Sequence, residues 1–313
     1  MAKYRSALPQ LGDRPFLTDG GLETTLLFLN GLDLPCFASF PLLETADGRK
    51  HLKEYFRPYL EVAKQHGSGF ILDTATWRAN TDWGAKLDYS QADLDRINRD
   101  AVAFAKEVRN AFETPAMPIV INGAIGPRGD GYRPDALMSV EAAARYHRPQ
   151  VEAFRDAGAD MVSAITMNYF EEAAGITLAA QRSGMPVVVS FTVETDGKLP
   201  TGETLRSAVE RLDTFTGKAP VYYMINCAHP EHFNTVLEKG AWLERIRGIR
   251  CNASTKSHAE LDESTELDIG DIAGLADHYS DLRKRLPNLV VMGGCCGTDH
   301  RHIEAISDRC LAA

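Results

Sequence analysis

The sequence predicts a single α/β domain over residues 1–313, a closed (β/α)8 TIM barrel. Three observations predict it: eight short apolar runs, longer amphipathic stretches between them, and polar or small residues directly after each run. Apolar runs alternating with helical patterns imply parallel strands. Eight such units are the number that closes a barrel, whereas an open doubly wound sheet requires no particular count.

The runs come in order along the chain. PFLT at 15–18 leads into Asp19-Gly20-Gly21, and GFILD at 69–73 into Thr74. MPIVI at 117–121 precedes Asn122-Gly123, and ADMVSAI at 159–165 precedes Thr166. MPVVVSF at 185–191 carries Ser190 and is followed by Thr192, and PVYYMI at 220–225 ends at Asn226-Cys227. RGIRC at 247–251 runs into Asn252, and NLVVM at 288–292 into Gly293-Gly294-Cys295-Cys296-Gly297. Between them, HLKEYFRPYLEVAKQHG and VEAAARYHRPQVEAFRDAG repeat apolar residues at three-to-four spacing and close on glycine, the pattern of amphipathic helices. One such strand-end residue reads equally well as a turn or a cap. Eight together define the carboxyl-terminal face, where active sites of this architecture sit.

Composition narrows the function. The chain is 44% hydrophobic and 25% charged with no low-complexity tract, as in an ordinary globular protein. A formal charge of −9, with Lys and Arg scattered, leaves no footprint for nucleic acid and little attraction to an anionic membrane. The opening MAKYRSALPQLGDRPF lacks the apolar core of a secretory signal, and no stretch approaches the ~20 apolar residues of a membrane span. A cytoplasmic protein is expected.

In a reducing compartment, the six cysteines at 36, 227, 251, 295, 296 and 310 read as thiols or metal ligands rather than a disulfide framework. Cys227 ends the sixth run and Cys295-Cys296 the eighth, so one barrel mouth would gather three sulfurs. Adjacent residues of a regular strand point to opposite faces. Gly293, Gly294 and Gly297 are expected to let the backbone leave strand geometry and turn both sulfurs inward. Three thiolates suit Zn2+, and an open fourth position marks a catalytic site. Zinc lowers the pKa of a bound thiol far below ~8.5, so a substrate thiol would bind as thiolate and could attack an activated methyl group. The competing reading is a buried pair or vicinal disulfide, since free Cys is often a small core hydrophobe. Cys36, Cys251 and Cys310 are assigned to that class.

These residues resemble the homocysteine S-methyltransferase family. The matching pieces, in family order, are LTDGGLET at 17–24, DTATWRAN at 73–80, INGAIGPRGD at 121–130, SFTVETDGKLPTGETL at 190–205, INCAHP at 225–230 and MGGCCGT at 292–298. The resemblance implies a zinc-dependent thiol S-methyltransferase of methionine biosynthesis. Its metal is held by Cys227, Cys295 and Cys296, and homocysteine is the acceptor at the open position. It implies acceptor contacts at Asp19 and Gly20, places Thr74 as the strand-two threonine, and puts Asn252 where the family has an asparagine. Glu23, Thr166 and Asn226 complete the substrate-binding set, with no catalytic residue beyond the metal site.

Two departures stand out. The family's strand four ends in Glu-Thr, the glutamate receiving the amino group of homocysteine; this chain has Ile165-Thr166. Leaving a buried ammonium unpaired is costly. Either Asp19, Glu23, Glu171, Glu172 or Glu194 compensates, or the acceptor is a different small thiol. Ala75 stands where members often carry Asn or Ser.

Methylfolate-dependent members resemble large multidomain chains and betaine-dependent ones carry a longer carboxyl-terminal arm. The expected donor is therefore a sulfonium, S-methylmethionine or S-adenosylmethionine. Trp77, Trp83, Tyr132, Tyr169 and Phe170 beside the strand ends are candidates to face that cation, or ordinary loop packing. A zinc hydrolase is the rival enzyme class, but HExxH is absent and His229 alone neighbours a candidate ligand. A thiol redox or metal-sensing protein is the non-catalytic alternative, although redox pairs are usually spaced CxxC.

Overall fold

A computed structural model describes residues 2–134 and 137–311. Eight parallel strands close a barrel in sequence order: β1 Phe16–Leu17, β2 Gly69–Asp73, β3 Ile119–Ile125, β4 Met161–Met167, β5 Val187–Phe191, β6 Pro220–Asn226, β7 Ile246–Cys251 and β8 Val291–Gly294. Closure depends on the shortest strand. Phe16 lies opposite Gly69 of β2 and Val291 of β8, so β1 stitches the first strand pair to the last.

Long helices return the chain outside the barrel. Ala46–Gln65 begins where the Thr45 hydroxyl accepts from the Gly48 amide, and Val140–Ala157 starts on Ser139 and stops at Gly158. Gly158 has φ +82°, a left-handed value that glycine adopts without a Cβ clash. Only short helical turns, including Pro230–Phe233, connect β6 to β7.

Each predicted strand is present, with shifted ends. Small and polar residues continue the sheet past the apolar runs in β3 and β4. Gly293 and Gly294 are a correction to expectation, because they remain in β8. Their missing side chains make room for Thr18 and Thr298, whose hydroxyls a Cβ at either position would strike. The chain leaves the strand at Cys295, and the left-handed residue of the turn is Gly297, φ +80°.

Two apolar layers hold the fold. Phe16, Ile71, Val120, Met161, Val188, Tyr222 and Val291 fill the barrel interior with Ile165 at its upper edge, while a larger shell packs strands against helices. Fully burying one such side chain contributes roughly 1.5–3 kcal/mol. With the interior filled by apolar groups, the polar strand ends are left to the mouth. No helix among the described residues is long and apolar enough to cross a membrane.

Candidate metal centre and substrate pocket

β6 and β8 deliver the three cysteines. Asn226 ends β6, and Cys227 turns away from it at φ +53°, a left-handed value that costs a non-glycine residue about 1–2 kcal/mol. Hydrogen bonds hold it there. The Cys227 amide donates to Arg250 O at 3.1 Å, and its carbonyl accepts from Asn252 Nδ2 at 3.1 Å and lies 2.7 Å from His258 Nε2. Beyond β8, the Cys295 amide donates to Cys251 O at 2.9 Å, and both the amide and the hydroxyl of Thr298 return to Cys295 O, closing the turn.

The sulfurs of Cys227, Cys295 and Cys296 all lie within 4.8 Å of one another, and those of Cys227 and Cys295 meet as a disulfide. A tetrahedral ion with Zn–S bonds of 2.3 Å requires neighbouring sulfurs about 3.8 Å apart. The trio therefore fits zinc with all three cysteines as thiolates. Cys251 and Cys310 stand apart, and burial pushes the Cys251 thiol up to about 12.

A cavity of about 430 Å3 opens beside the sulfurs. Asp19, Gly20, Glu23, Thr74 and Thr166 line it, as do Cys227, Cys295 and Cys296. Asn226 and Asn252 stand behind the wall and organise it. The Asn226 side chain accepts from the Thr166 amide and from Ser190 Oγ, and donates to Thr166 Oγ1 at 2.9 Å. That bracket holds Thr166 at its own left-handed φ of +64°.

Charge in the cavity is lopsided. Asp19, Glu23, Asp73, Asp130, Asp262, Glu266 and Asp268 line it against the guanidinium groups of Arg78 and Arg250. Arg250 is buried and donates to Asp19 Oδ1 at 2.7 Å, to Asp73 Oδ2, and to Gly294 O at 3.1 Å. Tyr55 donates to the other Asp19 oxygen at 3.0 Å. Burial pushes Asp19 up to about 7; Arg250 opposes that rise, and the neighbouring Asp73 charge adds to it.

The structure sorts the other sequence candidates. Ile165 is apolar, 8% exposed and on the cavity wall. Glu171 pairs with Arg211 at 3.1 Å and Glu172 with the buried His147 at 2.8 Å, both away from the cavity lining. Glu194 is engaged by His258 Nδ1 at 2.9 Å. Trp77 and Tyr132 line the cavity, joined by Phe28 and Phe37. Trp83 instead lies under Arg78 and Lys86, Phe170 lies under Arg211, and Tyr169 accepts from the Met138 amide. His229 Nδ1 accepts from the Glu231 amide at 3.3 Å as a helix cap.

Sequence reasoning missed Arg250, Asp73 and His258, and gave Tyr132 only as an aromatic candidate to face the donor cation. Tyr132 stacks on the His258 ring at 3.9 Å between centroids and sets its hydroxyl 3.4 Å from Cys296 Sγ. Burial pushes the Cys296 thiol up, the Tyr132 hydrogen bond opposes it, and the charge of Glu23 adds to it. Charged residues at or next to the ends of two apolar runs, Asp73 closing GFILD and Arg250 just before Cys251 in RGIRC, were the available signal for the ion pair.

Residues 16–310 match the family model described as homocysteine S-methyltransferase. The chain is 28% identical over 246 residues to the homocysteine S-methyltransferase of Escherichia coli K12, covering 75% of this chain and 78% of that one. It is 24% identical over 249 residues to homocysteine S-methyltransferase YbgG of Bacillus subtilis, covering 75% and 77%. Among solved structures, the E. coli homocysteine methyltransferase MmuM superposes with TM-score 0.76 in its oxidized form and 0.75 in its metallated form. Each is 24% identical over 97% of this chain, covering 98% and 99% of the respective structure. Built as a closed eight-stranded barrel and matched by that model over nearly its whole length, this chain is a methyltransferase belonging to the homocysteine S-methyltransferase family.

Proposed function

We propose that this protein is a zinc-dependent enzyme that transfers a methyl group from a sulfonium donor, S-methylmethionine or S-adenosylmethionine, to homocysteine, giving methionine in the cytoplasm. The observation that carries the reading is the trio Cys227, Cys295 and Cys296 at the mouth of a cavity large enough for a small thiol and its donor. Bound there by three thiolates, zinc would leave one position open and favour the deprotonated form of an incoming thiol near neutral pH. That one relative has been solved as a metallated form agrees with this assignment.

The chain's own residues supply orientation and charge. Asn252 and His258 fix the Cys227 loop and Asn226 fixes Thr166 beside it, so the sulfurs are positioned before substrate arrives. Asp19, Gly20, Thr74 and Thr166 form the wall against which the acceptor lies. The excess of carboxylates over guanidinium groups favours a cationic donor, and Trp77, Tyr132, Phe28 and Phe37 offer faces that attract a sulfonium. In the transfer, an acceptor sulfur lone pair forms the new S–C bond. The donor C–S bond breaks, its electron pair returns to the donor sulfur, and a neutral thioether leaves. The thiol proton is given up to solvent on binding.

Ile165 favours a second reading, in which the acceptor is a small thiol without an ammonium group, because an apolar wall gives that charge no partner. The test is zinc stoichiometry together with mass-spectrometric detection of methylated product. Zinc-loaded protein is offered homocysteine and other thiols with S-methylmethionine, S-adenosylmethionine or betaine. One zinc per chain and conversion of homocysteine itself to methionine by a sulfonium donor, followed with isotope-labelled homocysteine, support the proposal. Methylation of other thiols alone supports the second reading, and zinc without any transfer supports a metal sensor.

A further inference from the structure

We propose that Glu23 is the specificity-determining carboxylate that receives the ammonium group of the acceptor, in a site whose Ile165 offers that charge nothing. The inference rests on the homocysteine reading above.

Ile165 presents only a side chain packed on the apolar interior, and its carbonyl already accepts from Trp77 Nε1 at 3.3 Å. The remaining acids of the cavity divide by their partners. Asp19 is held by Arg250 and Tyr55, and Asp73 by Arg250 and Asn122, so both oxygens of each are engaged. Asp130 accepts from two backbone amides through one oxygen and has Arg78 3.9 Å from the other. Asp268 is bound by Ser254, the Gly270 amide and Lys256, whereas Asp262 and Glu266 lie exposed at the rim, where water competes for any cation.

Glu23 differs from all of these. Its Oε1 accepts from Ser39 at 2.7 Å; among the described residues no other residue donates to its Oε2 and no cation stands within ion-pair distance, the charges of Arg78 and Arg250 acting on it from farther off. Arg78 is near enough for its charge to reach Glu23, but it makes no ion pair with it among the described residues. Its guanidinium lies over Trp83 at 3.9 Å and Trp77 at 5.0 Å, donates to Cys36 O, and has Asp130 as its carboxylate neighbour. Burial pushes the Glu23 carboxyl up, and the Ser39 hydrogen bond and the charges of Arg78 and Arg250 oppose that rise.

Position agrees with chemistry. Glu23 sits in the helical turn Leu22–Thr24 directly after β1, and this turn is fastened to the cysteine loop. Thr24 Oγ1 accepts from the Gly297 amide at 3.3 Å, and Gly21 packs so closely that a Cβ there would lie 2.7 Å from Cys295 O. Homocysteine places its ammonium four bonds from sulfur, so the acid that receives it must stand on the wall beside the sulfurs. Glu23 does so, lining the same cavity as Cys227, Cys295 and Cys296.

The test uses the full-length zinc-loaded protein as wild type, Glu23→Gln and Glu23→Gln/Ile165→Glu. Each is assayed with S-methylmethionine and with either homocysteine or its analogue lacking the amino group, 4-sulfanylbutanoate. Wild type should prefer homocysteine. Glu23→Gln, which keeps the Ser39 contact, should lower the homocysteine-to-analogue ratio of kcat/KM by about 10–100-fold, chiefly through the KM for homocysteine. Returning a carboxylate at Ile165 should restore much of the ratio. An unchanged ratio in Glu23→Gln, or a rise confined to the KM for S-methylmethionine, overturns the Glu23 assignment and leaves homocysteine use standing. Wild type that methylates the analogue and not homocysteine overturns both. Zinc content, measured on every variant, separates lost selectivity from lost folding.

Discussion

Arg250 and Asp19 meet across 2.7 Å beneath the cavity, and the other terminal nitrogen of Arg250 is taken by Asp73. Burial alone would lower the pKa of this guanidinium, and the two carboxylates more than reverse it. Arg250→Met should therefore strand the buried Asp19 and the half-buried Asp73 and cost about 3–5 kcal/mol in urea unfolding. Neutralising both partners in the same chain, Asp19→Asn/Asp73→Asn/Arg250→Met, should recover most of the loss. Equal stability of the single variant and wild type would show that the triad is solvated.

Tyr132 should tune the metal centre through its hydroxyl, 3.4 Å from Cys296 Sγ. Hydrogen bonds to ligand atoms are commonly worth 10–100-fold in metal affinity. Tyr132→Phe keeps the stack on His258 and should weaken zinc binding by about 10-fold in a chelator competition. No change in affinity would assign the tyrosine to the pocket wall alone.

The eight strands were legible because buried parallel strands read as continuous apolar runs, and their carboxyl ends marked the mouth. Strand ends were less legible: Asn122-Gly123-Ala124 and Thr166-Met167 stay in the sheet although their composition reads as loop. Gly293 and Gly294 were misjudged because close packing by Thr18 and Thr298, rather than backbone freedom, requires glycine there. The cysteine trio was visible from residue type and strand order. Arg250–Asp73 was not, since its halves lie 177 residues apart and each sits in an apolar run. Likewise nothing in GDGY announced that Tyr132 would reach across to Cys296.

Reactivity should divide the thiols. Burial holds Cys251 near 12, so at pH 8 it carries almost no thiolate and its sulfur is screened. Iodoacetamide should leave Cys251 unmodified in the folded protein and label it in urea, as read by peptide mass mapping. Rapid labelling of Cys251 in the native state would contradict the packing described for it.

Asp299 predicts an acid limb of stability. Burial tends to raise its pKa, but His302 and Arg301 outweigh that and hold it below the usual carboxylate range. A depressed carboxylate stabilises the fold above its unfolded value of about 3.9 and loses that contribution as pH falls through its folded value. Asp299→Asn should lower Tm at pH 7 by about 2 °C or more and flatten the decline below pH 4. Parallel Tm–pH curves for variant and wild type would refute the assignment.

Zinc K-edge X-ray absorption, recorded before and after addition of homocysteine, most directly tests whether three cysteines hold a metal that receives the acceptor thiol. The account predicts three sulfur neighbours at about 2.3 Å in the free protein, rising to four when homocysteine is present. A shell of histidine nitrogen or carboxylate oxygen in place of the three sulfurs, or a sulfur count that homocysteine leaves unchanged, would contradict it.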